Sequence, residues 1–234
     1  GIGLSLVLVL TGCLGGGMKM PGPTRHLAGV PPTGTPTMQA DLSSSQEQPG
    51  VRLRSSRSAR DVAQGAASWV GKSRMRHRGT TYRYDCSGFV NAAHALAGED
   101  LAHRNTAGMV SYAKSLGVYE LVGSPGQGDT VFWDNTHDRN GNGRLDDTFT
   151  HVGVVESVDN DGTLHIIHLG SKGVVRIRMN LMRPNDYKNA EGKILNSFLR
   201  RRTNKDRRGT QYLSGQLYSG MASFWAAGGV ASLD

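Results

Sequence analysis

The sequence has few cysteines and no long apolar run, and each shortage excludes a class of protein. Only two of its 234 residues are cysteine, and only Cys86 lies in a stretch that is predicted to fold, so a disulfide-bonded scaffold is excluded. The apolar stretch at residues 2–10 is too short for a permanent transmembrane helix. The composition, 37% hydrophobic, predicts one ordinary domain preceded by a separate segment.

Acidic residues are also outnumbered. Lys and Arg total 27 against 19 Asp and Glu, which gives a net charge of +8. Residues 74–78 and 200–202 are basic clusters, and such charge favours an anionic partner such as nucleic acid, an anionic lipid or an acidic wall polymer. No aromatic residues are interleaved with these clusters, so nucleic acid is not predicted as a partner.

The apolar stretch at residues 2–10 is followed at once by Leu10-Thr11-Gly12-Cys13, which is typical of an export signal. These four residues resemble the lipobox of bacterial lipoproteins. The resemblance implies a lipid on Cys13 that anchors the protein in the membrane of the bacterial envelope. Leu14 rather than aspartate follows the cysteine, which favours the periplasmic side of an outer membrane. The alternative is an ordinary signal peptide with a chance cysteine.

Composition divides the rest of the chain into three parts. Residues 14–57 are rich in Gly, Pro, Thr, Ser and Gln and are predicted to be a flexible tether. A catalytic domain is predicted at 58–200, with helices followed by an antiparallel sheet, which indicates an α+β fold. Residues 201–234 are predicted to form a basic stretch and an amphipathic helix, with apolar positions at Leu213, Leu217, Met221 and Trp225.

The candidate nucleophile is Cys86. The alanine-rich stretch after it favours a helix that ends at Gly98, so Cys86 is expected in the first turn. Helix N-termini favour thiolates, and reactive cysteines in such places have pKa values of about 3.5–7.5. The alternative is a buried cysteine that serves only packing.

A thiol nucleophile needs a histidine base and a polar group that orients the base. Of the eight histidines, His151 is favoured because it opens a predicted strand. Residues 159–162 predict a hairpin turn after this strand. If the loop has an even number of residues, His168 lies on the same face as His151, whereas an odd loop brings His165 there instead.

Four stretches, in order, resemble the NlpC/P60 cysteine peptidases. They are Asp-Cys-Ser-Gly-Phe-Val at 85–90, Pro-Gly-Gln-Gly-Asp-Thr-Val-Phe-Trp at 125–133, His-Val-Gly-Val-Val at 151–155, and Ile-His-Leu-Gly-Ser-Lys-Gly-Val at 167–174. The resemblance covers about residues 60–185. It implies a papain-like domain in which N-terminal helices pack on an antiparallel sheet. Cys86 would be the nucleophile, His151 the general base and His168 the orienting residue.

The resemblance also implies a substrate. Family members cleave peptide stems of peptidoglycan, commonly between D-γ-glutamate and diaminopimelate, and Asp85 and Ser87 would help bind the amino end of the stem. The chain departs from the family at Arg74, where a tyrosine is usual. No binding module of the SH3 or LysM kind is present in the sequence, so attachment to the wall would depend on the lipid anchor and the basic surface.

Three other activities are compatible with the sequence. The first is a catalytically weak lipoprotein that only binds the wall. The second is a thiol acyltransferase or amidase that uses the same residues, and the third is a zinc peptidase. The zinc alternative lacks both His-Glu-x-x-His and a His-x-His pair. No cofactor is required for thiol chemistry.

A structural calcium ion is expected in the acidic loop, residues 138–146. Five residues there match the ligand spacing of a calcium loop: Asp138, Asn140, Asn142 and Asp146 by their side chains and Arg144 by its carbonyl. Gly143 falls where the backbone must turn, but Phe149 stands where a bidentate glutamate is usual. The alternative is a surface loop stabilised by local turns of its Asp and Asn side chains.

Overall fold

The computed structural model describes residues 49–204 and 206–227, with side chains from residue 59 onward. The predicted export signal, Cys13 and most of the tether therefore lie outside the described residues. The described helices are α1 (Pro49–Ser68), α2 (Cys86–Leu96), α3 (Thr106–Ser115), α4 (Ser214–Leu217) and α5 (Phe224–Ala227). Helix α1 begins at Pro49, so the last residues assigned to the tether are helical. Among the described residues, no helix is long and apolar enough to cross a membrane.

Six strands form one sheet in which every pairing is antiparallel. The sheet contains β3 (Tyr119–Glu120), β4 (Thr130–Trp133), β5 (His151–Val158), β6 (Leu164–Gly170), β7 (Gly173–Met179) and β8 (Tyr218–Ala222), and it is preceded in the chain by two short strands, β1 (Arg76–His77) and β2 (Thr80–Thr81). The order in the sheet is β3-β8-β4-β5-β6-β7, and β1 and β2 pair separately. Helices followed by an antiparallel sheet confirm the predicted α+β, papain-like fold.

The sheet buries apolar side chains on both faces, because neighbouring residues of a strand point to opposite sides. One core joins α1 and α2 to the sheet and includes Phe89, Val90 and Val152. The other lies on the opposite face and includes Trp133 and Ile166. Packing of α2 against β5 brings the start of the helix to the strand that opens with His151.

The predicted C-terminal amphipathic helix is wrong. Residues 214–227 instead form α4, β8 and α5, and β8 inserts between β3 and β4 in the sheet. Alternation along β8 sends Met221 into one core and Ala222 into the other. Pairing with β8 also satisfies backbone groups of β4 that an edge strand would leave unpaired, and this outweighs the helical spacing.

Asp129 holds residues 223–225 against the domain through side-chain hydrogen bonds. Its buried carboxylate accepts hydrogen bonds from the Ser223 hydroxyl at 2.7 Å and the Trp225 indole nitrogen at 2.8 Å. The same side chain accepts the Gly126 amide at 2.7 Å, which closes the turn before β4. The domain thus extends past residue 200, where the composition placed its end.

Candidate active site

Asp85 sets the start of α2. Its Oδ1 accepts hydrogen bonds from the Gly88 amide at 2.7 Å and the Ser87 hydroxyl at 2.8 Å, as an N-cap residue does. Cys86 is consequently the first residue of the helix, as predicted. Gly88 is required there, because a Cβ at this position would collide with the Arg83 carbonyl.

The carboxylate of Asp85 stays ionised. Partial burial opposes ionisation, but the Gly88 amide, the Ser87 hydroxyl and the Arg83 guanidinium outweigh it and hold the pKa of Asp85 below its usual value. Its second oxygen, Oδ2, is 2.5 Å from Arg83, whose side chain is 77% exposed. A negative charge therefore lies beside the nucleophile and is paired only with an exposed cation.

The Cys86 sulfur has polar neighbours from two other elements. Its Sγ lies 4.0 Å from the Thr106 hydroxyl at the start of α3. The Val152 amide of β5 also donates to the sulfur. These contacts place Cys86 beside the residue that follows His151. No hydrogen bond joins the sulfur to an imidazole among the described residues, and such bonds often tighten only when substrate binds.

The expected low pKa of Cys86 is contradicted. Burial raises the pKa of this thiol above its ordinary value, and the charge of Asp85 acts in the same direction. The Thr106 and Val152 hydrogen bonds favour the thiolate but are outweighed. Because desolvation disfavours the charged form, the resting nucleophile is a thiol that must lose its proton during attack.

His151 and His168 are brought together as predicted. His151 Nε2 and His168 Nδ1 are 2.6 Å apart, and the rings are nearly perpendicular at 81°. Burial lowers the pKa of His151 to about 3, with charges on His168 and His137 acting the same way. Burial likewise lowers the pKa of His168 to about 4. Both imidazoles are therefore neutral at pH 7, so one can accept a proton.

The choice of His168 from strand pairing assumed an even number of residues in the loop between β5 and β6, and the loop is odd. Val158 pairs with Leu164 and Ser157 with His165, so residues 159–163 form a loop with an odd number of residues. Continued without interruption, this register would have brought His165 to the site. His165 instead bonds to Asp159 Oδ2 at 3.0 Å.

A β-bulge at Glu156 reverses that outcome. Beyond it, the pairing returns to the register of an even loop. Gly153 then lies under His168, since an added Cβ would be 3.3 Å from the Cβ of that histidine. Because a bulge adds one unpaired residue to one strand, it exchanges the faces of all later side chains. His168 thereby joins His151.

Lowered histidine pKa values predict loss of stability in acid. The folded-state values of about 3 and 4 lie below the ordinary 6.5, so the unfolded chain takes up protons that the folded chain does not. The free energy of unfolding should fall as pH drops from about 6.5 to 4, by roughly 1–3 kcal/mol per unit. Thermal melts across this range would measure it, with a His151→Asn, His168→Asn double variant as control. An equally steep dependence in that variant would contradict the assignment.

Two contacts at the site were missed from the sequence. Thr106 and the Val152 amide carry no motif of their own. The signal that was available is Asn105, which accepts the Gly108 amide at 2.8 Å and caps α3, so that Thr106 begins the helix. Such a cap is a local signal that fixes where the helix begins, whereas the packing of this helix start against Cys86 depends on the tertiary fold.

The acidic loop is held by its own side chains. Asp138 accepts two glycine amides at 2.7 and 2.8 Å, and Asn142 Oδ1 accepts the Arg144 amide at 2.8 Å. Asp146 accepts the side-chain amides of Asn140 and Asn142. The predicted ligands therefore lie together in one loop, and its calcium binding stays a prediction. Among the described residues, no group of three or more His, Cys, Asp or Glu side chains is placed to hold a metal ion.

Residues 77–169, a range that includes Cys86, His151 and His168, match the family model of the CHAP domain. CHAP domains are related to the NlpC/P60 peptidases, so the resemblance predicted from the motifs is confirmed at the level of these related families. Such a domain indicates a hydrolase that acts on peptidoglycan. Searches of curated proteins and of solved structures gave no match.

Proposed function

We propose that this protein is a cysteine endopeptidase that cuts the peptide stems of peptidoglycan at the bond between D-γ-glutamate and diaminopimelate. The observation that carries the proposal is the 2.6 Å contact between His151 and His168, on strands that pack against the helix that begins with Cys86. A neutral base and a protonated thiol are the correct starting states for nucleophilic catalysis at neutral pH.

The first step forms a thioester. His151 takes the proton of the Cys86 thiol through Nδ1 as the sulfur attacks the carbonyl carbon, and the S–C bond forms. The Nε2–H of His151 donates to His168 Nδ1, which fixes the ring and leaves Nδ1 free to accept the proton. Collapse of the tetrahedral intermediate breaks the C–N bond, and the imidazolium gives its proton to the departing amine.

The second step releases the acyl group. His151, neutral again, takes a proton from water as the water oxygen attacks the thioester carbon. The C–S bond breaks, the thiolate recovers the proton, and a carboxylic acid leaves. Backbone amides at the start of α2 are the proposed donors to the oxyanion in both steps.

Asp85 and Ser87 are proposed to bind the amino end of the stem peptide. Asp85 Oδ1 is engaged by the helix cap, whereas Oδ2 faces only the exposed Arg83 side chain. An ammonium group on the substrate can displace such an exposed cation, since surface ion pairs contribute only about 0–1 kcal/mol. The Ser87 hydroxyl would hold the carboxylate in the orientation that the substrate meets.

The experiment separates a hydrolase from a wall-binding lipoprotein. Purified peptidoglycan is incubated with the protein and sedimented, and soluble peptide fragments and bound protein are both measured. The proposal predicts more moles of released fragment than of protein. Sedimentation of the protein without any release would show that it only binds the wall.

Lipidation at Cys13 is proposed from the lipobox. Metabolic labelling with a fatty acid should mark the protein expressed with a complete signal, and a Cys13→Ser variant should not be marked. The unlabelled variant should still reach the same side of the membrane. An unlabelled wild type would instead indicate simple secretion and remove the expected outer-membrane location.

Calcium is proposed to order the acidic loop. Because this loop leads into the strand that carries His151, chelation should lower both activity and melting temperature in part. Calcium should restore both better than magnesium, which requires tighter octahedral geometry. An Asp138→Ala variant should lose the response, and Asp186→Ala, in a turn elsewhere, should keep it. Calorimetry without binding at millimolar calcium would leave the loop without a metal, and rescue by zinc alone would favour the metallopeptidase alternative.

A further inference from the structure

A pocket of about 690 Å³ opens between the acidic loop and the basic segment, which we define as residues 200–204 and 206–210. Its lining includes Thr136 and His137 on one side and Arg200, Arg201, Arg202 and Arg207 on the other. The chemistry proposed above uses none of these residues. Their charge indicates that the occupant is an anion.

Acidic side chains in the lining do not neutralise the pocket. The lining holds four arginines against two aspartates, Asp138 and Asp206, so its net charge stays positive. Arg201 and Arg207 are exposed, and neither forms an ion pair with a described residue. Two guanidinium groups therefore remain available to a ligand.

Arg200 adds a buried cation. Its Nη1 donates to the Asn135 carbonyl at 2.6 Å, and its Nη2 is 3.5 Å from Asp206. The side chain is only 11% exposed, and its Nε has no hydrogen-bond partner among the described residues. Buried donors without a partner are uncommon in folded proteins. An anion bound beside Arg200 would supply the missing acceptor.

The pocket is linked to the catalytic strand by two hydrogen bonds. The amide and the hydroxyl of Thr136 donate to the Thr150 hydroxyl at 2.9 and 2.8 Å. Thr150 directly precedes His151, and the Thr136 hydroxyl also lies 3.2 Å from His137 Nδ1. The pocket is therefore joined, through a hydrogen-bonded pair of threonines, to the residue that precedes His151.

We propose that this pocket binds a free carboxylate of the stem peptide while the peptide is cut, an inference that rests on the proposed endopeptidase function. Guanidinium groups bind carboxylates through paired N–H donors. Stem peptides carry such carboxylates close to the bond that is cleaved. Phosphate would also pair with the arginines, so a phosphate polymer is the competing ligand in the binding test.

The kinetic test compares a soluble stem peptide with its carboxamide, which has the same shape without the charge. The wild type should show a KM about tenfold lower for the carboxylate, a difference of about 1.4 kcal/mol. An Arg201→Gln, Arg207→Gln double variant should lose this discrimination. Arg208→Gln removes one charge from the next residue, which does not line the pocket, and should discriminate like the wild type.

Equal KM values for both peptides in the wild type would overturn the proposal. So would an equal loss of discrimination in Arg208→Gln, because the effect would then come from general surface charge. Retained discrimination in the double variant would place the carboxylate elsewhere.

Calorimetry separates failure of this inference from failure of the proposed function. Cys86→Ala protein is titrated with the carboxylate peptide, with its carboxamide and with glycerol phosphate polymer. Tighter binding of the carboxylate supports the pocket even if no bond is ever cut. Tighter binding of the phosphate polymer, lost in the arginine double variant, would overturn the carboxylate assignment while leaving the endopeptidase proposal intact.

Discussion

Cys86→Ala is expected to abolish release of stem-peptide fragments while the protein stays folded. Without the sulfur no thioester forms, and loss of the nucleophile in other covalent hydrolases lowers kcat by roughly 10⁴–10⁶-fold. The change removes one partly buried sulfur at a helix start that Asp85 caps, so stability should change little. Initial rates on a soluble stem peptide measure the first effect and a thermal melt the second.

The control for this variant is Ser87→Ala, one residue along the same helix. It removes a hydroxyl that bonds to Asp85 at 2.8 Å but leaves the sulfur in place. Its rate should fall far less than that of Cys86→Ala. Hydrolysis that persists in Cys86→Ala at the wild-type rate would refute the thiol mechanism.

His168→Ala is expected to lower turnover by roughly 10²–10⁴-fold, the range seen when an imidazole loses its orienting partner. His165→Ala should stay within a few-fold of the wild type, since His165 bonds to Asp159 away from His151. The two variants remove the same residue type from opposite faces of the same strand, where His168 contacts His151 and His165 contacts Asp159.

Partial rescue separates a positioning role from a structural one. His168→Gln and His168→Asn retain a hydrogen-bonding group and should recover part of kcat. Melting temperatures of all these variants should lie close together at pH 7. If His165→Ala proved the more damaging change, the bulge at Glu156 would not set the face as described.

The start of α2 was predictable because its determinants are local. Asp85 precedes the helix, Gly88 fits where no Cβ can, and Gly98 follows the last turn with a positive φ of 85°. Each of these preferences acts within a few residues of chain. The strands that open with Thr130 and His151 were likewise evident from their patterns and are confirmed.

His168 lies beside His151 because of a feature that the sequence does not reveal. The loop at 159–163 is odd, which by itself favours His165. The bulge at Glu156 compensates, and nothing in the residues around it signals a bulge. Only the family motif pointed to His168 without assuming a loop length.

Long-range packing explains the other differences between the structure and what the sequence predicted. The pKa of Cys86 rises because burial against the domain outweighs the helix start, and burial depends on the whole fold. Residues 218–222 join the sheet because β4 offers a partner, although their spacing also suits a helix. The basic segment acquires a pocket only through its contact with the acidic loop, more than fifty residues earlier in the chain.

Mass spectrometry of the fragments that the wild-type protein releases from peptidoglycan identifies the bond that is cut. An endopeptidase of the proposed specificity gives one family of products with a new free carboxyl on D-γ-glutamate and another with a new free amine on diaminopimelate. Glycan strands stripped of their whole peptide would instead show an amidase, and products extended by an added amine would show acyl transfer. Either result, or the appearance of no fragments at all, would contradict the endopeptidase account.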